Sequence, residues 1–248
     1  VSCALSVRLR SRSVSRSRLL TGTTVACGVV ISRTAVAHDQ WLSHRTDYLF
    51  FDGLARGIDR FGIWDNPFAA GTRLSYHILT YGWLGQLERI SGTERWVAVS
   101  IVGPVVLGVL LLSQLWTLCC RLGMKQPIVV VAISAMMSSI AGWSVGLHIL
   151  RLESLSSLLG GIGILAVATL APPLLPLTGK TAVLTAVLTT LTTAAKISHG
   201  ILAGVMLCAG HLSARGLPWP KRLMYSAIGP AAAAAGVSIA MPPWVSTA

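Results

Sequence analysis

From Trp96 onward the sequence is a succession of apolar runs, and these constrain its fold more than anything else. About 20 helical residues are needed to traverse roughly 30 Å of hydrocarbon. Hydropathy marks Trp96–Leu118, Pro127–Leu150, Leu155–Leu177, Thr181–Ala195, Ile197–Leu212 and Leu223–Met241 as spans, the two from Thr181 to Leu212 being short and separated by Lys196. Strands of a transmembrane barrel would alternate apolar and polar residues; these runs do not, so helices are expected. Charged residues make up 11% of the chain and hydrophobic ones 53%. A soluble domain carries about 25% charged residues, so this chain cannot clothe a globule in water. With Leu19–Ala37 as a further span, the expected fold class is all-α, a polytopic helical membrane protein of about seven transmembrane helices.

The net charge of +12 and pI near 10.4 raise the question of nucleic acid. The placement of the basic residues excludes it: nucleic-acid binders gather them on one face of a folded domain, and here they flank apolar runs. Five arginines fall between Arg8 and Arg18, so residues 1–18 form a basic tail expected on the cytoplasmic side. Residues 19–248 form one membrane domain. The stretch 19–37 is a first span or signal anchor, but Ala35-Val36-Ala37 also fits a cleavage site, and both readings stand. Arg121 and Lys125, then Lys180, then Arg215, Lys221 and Arg222 all fall inside with the N-terminal arginines, and all eight acidic residues fall outside.

Seven of those eight lie in one exported block, 38–95: Asp39, Asp47, Asp52, Asp59, Asp65, Glu88 and Glu94. Two helices are expected in it. From Asp47 to Phe61, Tyr48, Phe51, Leu54 (or Ala55) and Ile58 recur at three- and four-residue steps, with Asp52, Arg56 and Asp59 opposite, the period of a helix lying in the membrane interface. Arg73 to Ile90 is a second, aromatic segment whose Tyr76, Tyr81 and Trp83 suit headgroup depth.

Small residues mark packing faces. Ser134, Ser138, Gly142 and Gly146 form one stripe and Thr181, Thr185, Thr189 and Thr193 another, both read as helix–helix contacts. Pro172-Pro173 and Pro176 break a helix. The five cysteines show no zinc spacing and read as packing residues. Gly160-Gly161-Ile162-Gly163 lies within an apolar run, so it is no phosphate-cradling loop.

A first span, an exported loop with an acidic residue opening an interfacial helix, a second interfacial helix and an arginine before the next span together resemble the C-type integral-membrane glycosyltransferases, which use polyprenyl-phosphate sugar donors. Asp47-Tyr48-Leu49-Phe50-Phe51 is similar to the start of their first interfacial helix. Tyr76-His77 through Gly92, followed by Arg95, resembles the second, and Lys196-Ile197-Ser198-His199-Gly200 is similar to a stretch in actinobacterial relatives. The resemblance implies a short or truncated member of that group. Many members carry a second acid directly after the position of Asp47, where this chain has Tyr48.

Such a transfer needs a base for the acceptor's proton and positive groups or a divalent metal, such as Mg or Mn, for the charge developing on the phosphate. Asp47 and Asp39 are the candidate catalytic carboxylates; His77, Arg151, Lys196 and His199 are candidates for binding the donor's phosphate. Each has a plainer reading: Asp47 as a helix cap, Lys196 as a snorkelling helix-end cation, and His38, His44 and Asp39 as solvated loop residues rather than a metal site. The implied partners are the bilayer, a polyprenyl-phosphate sugar and a glycan, lipid or protein acceptor. Two rival functions remain at this stage, a transporter or flippase of a lipid-linked solute and a non-catalytic subunit of a membrane enzyme.

Overall fold

The apolar runs and both amphipathic stretches fold as helices. The structure, a computed structural model, describes residues 14–42, 46–61, 66, 78–92, 97, 101–137, 155–172, 174–214 and 216–241. In chain order the helices are α1 (Arg16–Leu42), α2 (Thr46–Phe61), α3 (Ile78–Ser91), α4 (Gly103–Arg121), α5 (Pro127–Met137), α6 (Leu155–Leu170), α7 (Gly179–Ala195), α8 (Ile197–Leu212), α9 (Trp219–Ser226) and α10 (Ile228–Ala240). No strand occurs among the described residues, and the all-α expectation holds.

Among the described residues, two stretches are long and apolar enough to cross a membrane: α4, and the 22 residues Trp219–Ala240 formed by α9 and α10, which are joined through Ala227. Others stop short of the expected lengths for local reasons. Helix α6 ends at Leu170, ahead of Pro172, instead of running to Leu177. Lys196 interrupts what would otherwise be a continuous helix from Gly179 to Leu212. At 16 residues, α8 is about 24 Å long at 1.5 Å per residue. The run Pro127–Leu150 is helical to Met137, and its remainder, with most of the Ser134–Gly146 stripe, lies outside the described residues.

The helices pack side by side in two groups, and α9 runs on into α10. One half of the molecule places α1 and α5 against α4, and α4 against α6; the other gathers α6, α7, α8 and α10, with α9 on α8. Helices α2 and α3 pair with each other, and α3 also touches α6 and α7. In the first half the core is aliphatic and aromatic, built from Ala26 and Val30 of α1, Leu107, Leu111, Leu112, Leu115 and Trp116 of α4, and Leu158 of α6.

In the second half, contact is made by small residues. A Cβ on Gly204 would lie 2.9 Å from the Gly229 carbonyl oxygen, so α8 and α10 cross with their backbones touching. Gly236 presses on Thr190 and Thr193, Gly200 on Thr193, and Gly163 on Thr192. The threonine stripe of α7 is indeed a packing face: Thr185, Thr189 and Thr193 are buried, and the Thr185 and Thr193 hydroxyls donate to carbonyls one turn earlier, Thr181 and Thr189, at 2.8 Å.

Helix α2 has the predicted amphipathicity, with Leu54, Ala55 and Ile58 buried and Arg56 exposed. Its apolar side differs from expectation in what covers it. Instead of facing lipid, these residues share a core cluster with Tyr81 and Leu84 of α3. Tyr81, expected at headgroup depth, is only 1% exposed. Two amphipathic helices close in sequence satisfy each other more fully than either could alone.

Candidate functional site

The polar cluster with most chemical content sits at the break between α7 and α8. Lys196 has an extended backbone (φ −158°, ψ 113°) and serves as the last cap of one helix and the first of the next. Its N–H donates to the Thr192 carbonyl at 2.9 Å, and its own carbonyl accepts from His199 N at 3.1 Å and Gly200 N at 3.0 Å. A single residue therefore closes two helix ends. No side chain caps the start of α8, so its positive dipole end adds to the charge of the Lys196 ammonium.

That ammonium donates to the Ser157 hydroxyl at 2.5 Å, tying the break to the first turn of α6. His199 lies one turn into α8 against the same helix: a Cβ on Gly160 would come within 2.9 Å of the His199 ring, so only a glycine there lets the imidazole settle on α6. The Ser198 hydroxyl is 3.3 Å from His199 Nδ1. From the third side, Thr80 of α3 donates to the Ala195 carbonyl at 3.4 Å, bringing the α2–α3 pair to the edge of the cluster.

Of the residues expected from the sequence, Lys196 and His199 are brought together here. Asp39 lies near the end of α1 and Asp47 in the first turn of α2, but their side chains fall outside the described set; His77 and Arg151 lie outside the described residues altogether. No three His, Cys, Asp or Glu side chains converge among the described residues. Sequence reading missed Ser157, Ser198 and Thr80. Only the Ser156-Ser157 pair at the mouth of an apolar run was a usable signal, since two hydroxyls opening a helix otherwise free of polar residues until Thr169 invite a partner. No protein-family model, curated protein or solved structure matches this chain.

Chemically, the cluster offers a cation, an imidazole, three hydroxyls and an uncapped helix start on one side of a helical bundle. Donors dominate, which suits an oxyanion such as phosphate. The Gly160–Gly163 run contributes by sterics and not as a loop: Gly160 seats His199, Gly161 packs on Leu111, and Gly163 seats Thr192.

Proposed function

We propose that this chain is a multi-pass protein of the cell membrane, with its N-terminus cytoplasmic, that binds a polyprenyl-phosphate sugar at the Lys196 break and transfers the sugar on the extracytoplasmic face. The membrane setting is supported by α7, which is built inside out. It buries Thr185, Thr189, Thr192 and Thr193 and exposes Val183 (65%), Leu184 (47%), Val187 (49%) and Leu191 (44%). Water would favour the reverse; hydrocarbon favours this arrangement, since hydroxyls and backbone must be satisfied within the protein. Helices shorter than the hydrocarbon thickness are accommodated by local thinning and by end residues such as Lys196 reaching the interface. Arg16, Arg18, Arg121, Lys125, Lys180, Lys221 and Arg222 fall at the end opposite Lys196, which the positive-inside bias assigns to the cytoplasm. On this reading α2 and α3 lie in the first exported loop as a mutually packed interfacial pair.

The observation that carries the donor-binding step is the Lys196–Ser157–His199 cluster at a helix break. In the reaction the acceptor hydroxyl attacks the anomeric carbon and the bond from that carbon to the phosphate oxygen breaks. The bonding electrons leave with the polyprenyl phosphate, whose charge Lys196 and His199 hold, joined by His77 and Arg151. Asp47, with Asp39, takes the acceptor's proton, the role implied by the likeness of 47–51 to the C-type glycosyltransferases. The test uses the full chain in lipid nanodiscs. Polyprenyl phosphate is expected to bind at least about tenfold more tightly than the matching polyprenol, Lys196→Ala to remove that preference, and Asp47→Ala to abolish transfer without changing binding. Equal affinity for alcohol and phosphate would end the donor-site reading, and so would a tag beside Asp47 that labels from the cytosol.

A further inference from the structure

A second cation-lined site lies at the far end of the bundle from Lys196. A cavity of about 540 Å³ opens between the start of α1, the end of α4 and the start of α5, lined in part by Arg18, Trp116, Lys125, Gln126 and Ile128. That volume falls in the range of about 300–1,000 Å³ usual for small-ligand sites.

Three local features build it. Gly22 lies directly on the Trp116 indole, where any Cβ would collide with the ring, so α1 approaches α4 closely. Arg18 is one turn earlier on the same face of α1, which carries it to the cavity beside that ring. Helix α4 then ends in a left-handed reversal at Gly123 (φ 75°), with Gly123 N donating to the Cys120 carbonyl at 3.1 Å and Met124 N to the Cys119 carbonyl at 3.0 Å. This reversal returns Lys125 and Gln126 over the end of the helix they have just left.

The lining is rich in donors. Among the described residues neither the Arg18 guanidinium nor the Lys125 ammonium has a hydrogen bond or ion pair. Trp116 is 7% exposed, and its indole N–H is buried without a partner among the described residues. Two cations without partners among the described residues select an anion, and arginine in particular pairs with phosphate oxygens. Exposed apolar residues adjoin the lining in sequence: Leu19 and Leu20 follow Arg18 on α1, and Ile128, itself in the lining, is followed by Val129 on α5.

We propose that this cavity binds a phosphate group carried by the headgroup of an anionic lipid, whose acyl chains lie along Leu19, Leu20, Ile128 and Val129. Basic pockets between helices on the cytoplasmic side of membrane proteins take such headgroups. The lipid source rests on the membrane reading above; the phosphate chemistry does not, and neither depends on sugar transfer.

The experiment is native mass spectrometry of the full chain in detergent, titrated in parallel with phosphatidylglycerol, phosphatidylcholine and inorganic phosphate. Phosphatidylglycerol is expected to be retained in preference to phosphatidylcholine. Its affinity should fall about fivefold for each cation removed in Arg18→Ala and Lys125→Ala. Lys125→Arg should restore binding, and Lys180→Ala, at the same end but outside the cavity, should leave it unchanged. Equal retention of the two lipids, or a loss in Lys180→Ala as large as in Lys125→Ala, would overturn the site. Displacement of the lipid by equimolar inorganic phosphate would overturn the lipid assignment and leave a site for the free ion.

Discussion

The Lys196 ammonium donates to the Ser157 hydroxyl at 2.5 Å, joining the hinge of α7 and α8 to the first turn of a helix 39 residues earlier. A hydrogen bond to a charged group contributes about 1.5–3 kcal/mol when buried; Lys196 is only half-buried, which reduces the figure to about 1 kcal/mol. Ser157→Ala is therefore expected to lower the thermal midpoint in detergent by about 2–4 °C. Ser198→Ala, at an exposed position, should change it by less than a degree or so, and equal shifts would show that the bond contributes nothing measurable.

The crossing of α8 and α10 gives a sharper expectation. Gly204 and Gly229 meet backbone to backbone, so Gly229→Ala must push the helices apart, at a cost of about 1–3 kcal/mol for overpacking. Gly28, within α1, has nothing within 4 Å of where a Cβ would stand. There Gly28→Ala should stabilise by about 0.5–1 kcal/mol through helix propensity alone. Opposite signs for these two chemically identical changes, read as thermal shifts, are the expected outcome.

Helix α7 allows the membrane setting to be tested at single positions. Among the described residues the buried Thr189 hydroxyl has no partner, so the isosteric Thr189→Val should be neutral or stabilising by up to about 1 kcal/mol. Val187, 49% exposed, would face hydrocarbon, and Val187→Asp should reduce membrane-integrated protein, since a central aspartate costs about 2.5–3.5 kcal/mol on insertion. Carbonate extraction of cell membranes reads that loss. In a protein surrounded by water, Val187→Asp would be harmless.

Much of this organisation was legible in the sequence because it is local. The three- and four-residue recurrence of Leu54 and Ile58 gave α2 and its buried side, and the threonine spacing gave the packing face of α7; the end of α6 was overrun, since hydropathy carried its span through the prolines to Leu177. Lys196 stood out as a cation between two short apolar runs, and it is indeed where the helix breaks. What the sequence withheld depends on partners far along the chain. Nothing near Ser157 points to Lys196, nothing near Gly22 points to Trp116, and no spacing rule links Arg18 with Lys125. For the same reason the periodicity of α2 assigned it to the membrane interface: a periodic apolar stripe records that a face is covered, and not by what.

The one-residue joint at Lys196 also bears on how the molecule is assembled. Almost no chain must be gathered to bring α7 and α8 alongside each other, so the entropic penalty of closing that turn is close to the smallest a helical hairpin can have. The hairpin can zip up during synthesis, before the glycine-faced α10 emerges from the ribosome to lock against both.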